Sequence, residues 1–556
     1  FDCLGTWNGK GQVFKNKQLT GNHVGAYVSY DSFIGDNIEF RVSSSFISHE
    51  QALINLNREI PSIQSFETTK ANAKKIWNDE LSKVKVTPSK KIDKNIAYND
   101  MVKFYSCFYR TILFPRSIHE YDVVGNQVHY SPYNGKVLNG PLYTDNGFWD
   151  TFRAVFPFYN LLYPEKMSEI IQGIMVNPYK ESGWLPEWSS PGHRDCMIGS
   201  NSASIIAEAY LKGADGFDID TAYKAIIKNT NNEGPLSSVG RMGFKEYNSL
   251  GYIPYDVKVN ESVARTLEYA YNDYCIYKLA EKLDRPTNEI EIFKLRSNNY
   301  KNVFDSTVNF MRGKSKKGYF ENRFKPDKWG GVFTEGSSWH YTWSVLHDIQ
   351  GLINLMGGKS NFIEKMDSIF STPPTSDFSY YGFKIHEILE MELLNMGQYA
   401  HGNQPIQHVL YLYNYAGQPW KTQEKVRYVM DNLYGSDEDG YCGDEDNGQT
   451  SAWFLFSSMG FYPVAPVTGQ YVIGSPLFEK VEIQLSNNKK IVINSKENNT
   501  KSVYIDKVFI NDKQYYNNWL SHSNLLEGLK IDFIMNETPN FDWGSKQESV
   551  PFSVSN

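Results

Sequence analysis

The chain has 556 residues, 41% of them hydrophobic and 21% charged, and a formal net charge of −7. That length exceeds what one hydrophobic core organises, so about two to four domains are expected. The negative balance argues against nucleic acid or an anionic membrane as a generic partner, and the absence of any apolar run of about 18 residues argues against a membrane-spanning helix.

Residues 1–68 read as β-rich: Gly5, Gly9, Gly11, Gly21 and Gly25 punctuate short strand-like runs such as 24–30 and 38–45. This stretch resembles the closing part of a β-sandwich. Over 65–85 the period becomes helical, with Trp77 and Leu81 four apart, and 85–93 reads as a linker. From 94 to 464 helix-period segments dominate, at 96–111, 149–162, 166–175, 200–213, 262–283, 289–299, 340–355 and 422–433, joined by Gly-, Pro- and Trp-rich loops. No fixed repeat is visible, so an (α/α) barrel or large helical array is expected rather than a solenoid. After 465 period 2 returns, with strands predicted at 472–473, 481–485, 490–493, 502–510 and 529–534, giving a small C-terminal β domain. The expected layout is thus 1–68 sandwich portion, 69–93 helical linker, 94–464 helical catalytic domain and 465–556 small β domain.

The 38 Tyr, 33 Phe and 12 Trp mostly fill a core, but aromatic rings also stack on the apolar face of a pyranose. Cys3, Cys107, Cys196, Cys275 and Cys442 show no C-x-x-C spacing, so neither a zinc site nor a dense disulfide framework is predicted, and the redox compartment stays open. Phe1 is not an initiator Met, and further sequence upstream is expected, where any signal peptide would lie.

Four loop stretches carry residues suited to chemistry. Trp149 and Asp150 open a helix; the carboxylate is either a first-turn cap or an acceptor for sugar hydroxyls beside a stacking ring. Thr334-Glu335-Gly336-Ser337-Ser338-Trp339-His340 puts a Glu next to an aromatic cluster, where desolvation would keep a general acid protonated near neutral pH. In the third stretch His386, Glu387 and Glu390 share a helix face, followed by His401-Gly402-Asn403-Gln404-Pro405. Carboxylates with amide oxygens suit calcium rather than zinc, although a solvated helix face is the simpler reading of the Glu residues taken alone. The fourth holds six acids between Asp437 and Asp446. An EF-hand needs a Glu at its twelfth loop position, which is Gly448 counted from Asp437 and Leu455 counted from Asp444, so that motif is excluded. Asp437–Asp439 reads as a solvated turn, whereas Asp444 and Asp446 stand against an apolar run and require compensation by a metal, an Arg or a shared proton. Phosphate-binding loops, zinc-protease motifs and nucleophile elbows are missing, which leaves carboxylates as acid and base.

Together, Thr334-Glu335-Gly336, His401-Gly402-Asn403-Gln404-Pro405, Gly443-Asp444-Glu445-Asp446-Asn447-Gly448-Gln449-Thr450-Ser451-Ala452-Trp453, Trp149-Asp150-Thr151-Phe152-Arg153 and Gly460-Phe461-Tyr462-Pro463-Val464 resemble the glycoside hydrolase family 92 α-mannosidases. The resemblance runs from about residue 5 to 485. It implies an N-terminal β-sandwich portion, a helical linker, an (α/α)6 barrel catalytic domain and a small C-terminal β domain. It also implies a calcium-assisted, inverting exo-α-mannosidase acting on terminal mannose of N-glycan or mannan type, most like the α-1,2 members, in a periplasmic, cell-surface or secreted setting. By motif, Glu335 resembles the general acid, Asp446 the base with Asp444 beside it, Trp149, Asp150 and His401 sugar-binding residues, and His386-Glu387 the pair at the leaving sugar. Glu390, Asn403 and Gln404 are the calcium candidates. Relatives commonly carry Asn-Ala and Gln where Ser337-Ser338 and His340 stand, and Glu where Gln404 stands. The alternatives are another (α/α) barrel glycosidase, which a calcium requirement would separate, and a non-catalytic glycan-binding protein, which would need neither Glu335 nor Asp446.

Overall fold

A computed structural model describes residues 3–30 and 38–556. The chain divides into two compact units, Phe1–Ala73 and Lys74–Asn556. In the first, a three-stranded antiparallel sheet runs in the order Val13–Phe14, Cys3–Asn8, Val24–Ser29. Trp7 pairs with Gly25, where a Cβ would come within 2.3 Å of the indole, so the glycine lets the ring lie across its neighbour strand. The strand expected over 38–45 does not form: Ile38, Phe40 and Val42 are 43%, 63% and 81% exposed, so their alternation finds no layer to pack on among the described residues. A helix, His49–Glu59, instead follows within this stretch, started by Ser48, whose hydroxyl accepts the Gln51 N–H at 3.1 Å.

In the second unit a six-stranded sheet has the order Lys513–Tyr515, Tyr504–Ile510, Lys530–Asn536, Lys490–Lys496, Lys480–Gln484, Val84–Thr87. Only Lys490–Lys496 and Lys530–Asn536 pair in parallel. Val84–Thr87 corrects the reading of 85–93 as linker throughout: Val84 and Val86 are buried while Lys85 and Thr87 face out, a period-2 signal too short to stand out beside Lys and Pro. The strand predicted at 472–473 belongs to a separate sheet, Phe461–Tyr462, Gln470–Ile473, Trp519–Ser521.

Between these strands the chain is mainly helical, as predicted, with differences that have local causes. The segment 149–162 is two helices, Phe148–Thr151 and Val155–Leu162. Pro157 cannot continue a helix through the preceding turn, and Gln449 Oε1 takes the Ala154 N–H at 2.9 Å. The segment 340–355 is likewise broken into Ser338–Tyr341 and Ile349–Leu355, because Asp348 caps the second piece, accepting the Gly351 N–H at 3.0 Å. Helices Ile219–Thr230, Phe244–Leu250 and Lys359–Ser371 were not foreseen.

Helices Asn201–Leu211, Ser262–Lys282 and Gln449–Met459 are buried almost all round, which is why their sequences show little amphipathic contrast. Several of their polar residues have buried partners. Asn272 Nδ2 donates to Asn201 Oδ1 at 2.9 Å and Ser204 Oγ at 2.8 Å, and fully buried Asp273 pairs with Arg241 at 2.6 Å. Among the described residues no helix is long and apolar enough to cross a membrane.

Candidate active site

Glu335 occupies a left-handed backbone position, φ 44°, which a non-glycine residue adopts only under constraint. The constraint is visible. Its N–H donates to the Tyr381 hydroxyl at 3.2 Å, its carbonyl accepts from Asn403 Nδ2, and the Thr334 carbonyl accepts from the Tyr341 hydroxyl at 2.7 Å. The helix that follows is held by Ser337 and His340: His340 Nδ1 accepts the Ser337 N–H at 2.9 Å and its other nitrogen meets the Gln398 carbonyl at 3.1 Å. Burial lowers the His340 pKa to about 4, so it serves as a neutral bracket. Burial first, then the charges of Glu387, Asp446 and Glu261, push the Glu335 carboxyl up to about 8, with His386 opposing.

The second loop turns through three consecutive left-handed residues, Asp446, Asn447 and Gly448, at φ 51°, 55° and 98°. Its neighbours fix it. Asn447 Oδ1 accepts the Gly147 N–H at 3.0 Å, Glu445 Oε2 accepts the Gly448 N–H at 2.6 Å, and Thr450 Oγ1 donates to the Asp444 carbonyl at 2.7 Å. Asp446 Oδ2 accepts from the Gln404 amide. Burial, followed by the Asp444 charge, raises the Asp446 pKa against that hydrogen bond.

Asp150 completes the cluster. It is 1% exposed, its Oδ2 has no hydrogen-bond partner, and its pKa lies well above the ordinary value through burial and then the charges of Asp446 and Glu335. Arg153 ties this turn to the core, donating to the Trp149 carbonyl at 3.1 Å and reaching Glu268 at 3.5 Å. Trp149 is only 2% exposed, so its ring is a wall of the core rather than an open stacking platform.

Helix His386–Leu394 supplies the remaining charged groups. His386 Nδ1 lies 2.9 Å from Glu390 Oε1, and Nε2 lies 3.2 Å from Glu387 Oε1 and 3.7 Å from Asp444 Oδ2. Partial burial opposes the imidazolium, but these carboxylates outweigh it and the His386 pKa is raised. Glu387 Oε2 and Glu390 Oε2 are buried without partners. Glu390 reaches a point where two loops cross: a Cβ on Gly443 would come within 2.5 Å of Gly402 Cα and 2.8 Å of Glu390 Oε2. Gly443 also has φ 81°, so both space and conformation call for glycine there.

Ligating atoms of His386, Glu390 and Asp444 lie within 4.8 Å of one another. With the unpartnered Glu390 oxygen this donor set fits a hard cation held by carboxylates, His386 acting as hydrogen-bond partner to Glu390. Asn403 and Gln404 spend their amide nitrogens on the Glu335 carbonyl and Asp446, so their oxygens are what they could offer a cation.

His401 stands apart from the rest. It is fully buried, with its ring nitrogens 2.7 Å from the Tyr399 hydroxyl and 2.9 Å from the Tyr434 hydroxyl, and burial lowers its pKa to about 3. It braces the loop from within the core and presents no ring edge to a sugar. Two residues near Glu335 escaped sequence reading. Glu261, at φ 60°, directly precedes helix Ser262–Lys282 without capping it, its carboxylate tied to Arg265 at 3.0 Å; its sequence context is that of any helix-start acid. Cys196 lies within electrostatic reach of Glu335 and Asp150, and no local motif marks it.

The chain superposes on an inverting mannosidase of family 92 from Bacteroides thetaiotaomicron with a TM-score of 0.90 and 46% identity, covering 100% of this chain and 74% of that one. A family 92 α-mannosidase of the same organism, solved with mannoimidazole, gives a TM-score of 0.85 at 30% identity, covering 100% of this chain and 71% of that one. A secreted glycosidase of Arthroderma benhamiae is 28% identical over 93% of this chain, which spans 63% of that relative's length. Residues 51–537 match the glycosyl hydrolase family 92 catalytic domain, and the chain belongs to that family.

Proposed function

We propose that this chain is an exo-acting α-mannosidase that removes terminal mannose from N-glycan or mannan chains with inversion, preferring α-1,2 linkages, assisted by calcium and working in a secreted, cell-surface or periplasmic setting. The observation that carries it is the crowd of carboxyls formed by buried Asp150 and part-buried Glu335 and Asp446, raised in pKa and short of compensating cations. Such a crowd is costly to a fold and useful to glycoside hydrolysis.

In this reading Glu335, still protonated near neutral pH, gives its proton to the departing glycosidic oxygen. Asp446 takes a proton from the attacking water, and the nearby Asp444 charge strengthens it as a base. The unpartnered Asp150 oxygen accepts a sugar hydroxyl, and the turn beginning at Trp149 positions it. His386 and Glu387 contact the leaving sugar. The metal would be held by Glu390 with oxygens from Asp444, Asn403 and Gln404, and when bound it supplies positive charge beside the mannose hydroxyls. Inversion requires acid and base carboxyls about 6.5–9.5 Å apart, a gap that two separate loops can provide. We further propose that helices between 94 and 464 form an (α/α)6 barrel, with 1–68 as a sandwich portion, 69–83 as a helical linker and 465–556, joined by strand Val84–Thr87, as a small β domain.

The test is release of mannose from α-1,2-mannobiose with added calcium and with excess chelator. The reading predicts release that chelation abolishes and calcium restores. Undiminished release in chelator would remove the metal, and release from another linkage alone would overturn the α-1,2 preference.

A further inference from the structure

A cavity of about 680 Å³ lies in the C-terminal β region, between Asp506 and Lys507 of strand Tyr504–Ile510, the turn after strand Lys513–Tyr515 and the loop 540–549. None of the residues discussed above as acid, base, sugar or metal ligands lines it. Its size is in the range of small-ligand sites and would take one or two hexoses.

The loop that bounds it is built with buried hydrogen bonds rather than left loose. Asn518, fully buried, donates to the Gly544 carbonyl at 2.7 Å, and its own N–H goes to Ser549 at 2.9 Å. Asn540 Oδ1 accepts the N–H groups of Asp542 and Trp543 at 2.9 and 3.2 Å, while its Nδ2 donates to the Asp506 carbonyl at 2.9 Å. Trp543 Nε1 donates to the Tyr515 carbonyl at 3.1 Å. Gly544, at φ 68°, passes so close to Asn518 that a Cβ would lie 2.9 Å from the Asn518 Cβ. A polar loop fixed in this way costs little further ordering when a ligand enters.

The chemistry of the lining is mixed in a particular way. Tyr516 is 59% exposed and lines the cavity together with the planar amides of Gln514 and Asn517, the carboxylates of Asp506, Asp542 and Glu548, and the amines of Lys507 and Lys546. Acids and amines are nearly balanced, which disfavours a phosphate or nucleic acid, and one exposed ring is too little apolar surface for a lipid. A ring face flanked by groups that both give and accept hydrogen bonds matches a neutral pyranose, with its apolar C–H face and its hydroxyl edge.

We propose that this cavity is an accessory oligosaccharide site that holds a glycan away from the catalytic carboxyls, with Tyr516 as its stacking residue. The identity of the sugar, a mannose oligosaccharide, rests on the function proposed above. The experiment is calorimetric titration of the Glu335→Gln protein with α-1,2-mannotriose, alone and with the catalytic site saturated by mannoimidazole, repeated with Tyr516→Ala added. The expected result is a binding event that survives mannoimidazole and weakens about tenfold or more in Tyr516→Ala, while Tyr516→Ala alone leaves hydrolysis of mannobiose unchanged. Mannobiose cleavage by the parent protein without any mannoimidazole-resistant binding would overturn this site and leave the proposed activity standing. Absence of both cleavage and binding would overturn the two together.

Discussion

Two regions of the helical part bury acidic side chains and treat them in opposite ways. Asp348 is 1% exposed and receives five donors: Gly351 N–H at 3.0 Å, Ser553 Oγ at 2.9 Å, Ser555 N–H at 2.9 Å, Ser555 Oγ at 2.8 Å and the Tyr300 hydroxyl at 2.7 Å. Burial opposes its charge, but the bonds from Tyr300 and Ser555 outweigh that and its pKa is lowered. Around Glu335, Asp446 and Asp150 donors are few, like charges are close and every pKa is raised. The first arrangement is what a carboxylate needs to stabilise a fold. The second stores an unfavourable interaction, which a fold keeps where a proton or a ligand is to be exchanged.

The sharpest way to break this contrast is to remove the acid at each place. Glu335→Gln is expected to slow mannobiose hydrolysis by about 10²–10⁴-fold in steady-state assays, with a smaller loss on dinitrophenyl mannoside, whose leaving group needs no proton. The same variant should melt at or above the parent temperature. The unfolded carboxyl ionises near 4.5 and the folded one near 8, so the fold loses stability as pH rises through that interval and Gln relieves it, by ~1–3 kcal/mol at pH 8. A lower melting temperature would contradict the comparison.

Asp348→Ala should do the reverse, costing ~3 kcal/mol in denaturant unfolding while the folded fraction retains its turnover number. Because the Asp348 pKa is lowered, its contribution is present above about pH 4, the ordinary Asp value, and is lost as pH falls below it. Gly443→Ala should cost less, ~1–3 kcal/mol in denaturant unfolding, from its left-handed backbone and the approach of Gly402, and should raise the calcium concentration needed for half-maximal activity through Glu390. In the parent enzyme, kcat/KM for mannobiose should decline above about pH 8 as Glu335 ionises, close to tenfold per pH unit, whereas an alkaline-side decline that already begins near pH 5 to 6 would mean that this carboxyl is not the acid. The smallest effect is expected from neutralising Asp437, Glu438 and Asp439 together. All three are exposed, and activity and melting temperature should stay within error of the parent.

Much of this was legible in the sequence where the signal is local. Glu335 beside Gly336 and an aromatic run, and Asp446 against the apolar stretch that becomes helix Gln449–Met459, announced part-buried acids, and the solvated turn at Asp437–Asp439 was equally plain. The period-2 runs after 465 became strands because alternation survives when one face is buried. What could not be read depends on partners distant in the chain. His401 carries no mark showing that Tyr399 and Tyr434 use both ring nitrogens. Trp149 gives no hint that Arg153 and Glu268 draw its turn into the core. Glu261 is an ordinary helix-start acid until the loop carrying Glu335 is folded against it: its N–H donates to the Gly331 carbonyl at 2.9 Å. Val84–Thr87 is a strand only because Lys480–Gln484 stands beside it.

In the proposed mechanism Glu335 and Asp446 act from opposite faces of a mannoside in a single displacement. It is tested most directly by following α-1,2-mannobiose hydrolysis by proton NMR and identifying the anomer released before mutarotation. The account predicts β-mannose as the first product, with the signal absent in both Glu335→Gln and Asp446→Asn. Release of α-mannose would show a double displacement and contradict the assignment of Asp446 as a base acting on water.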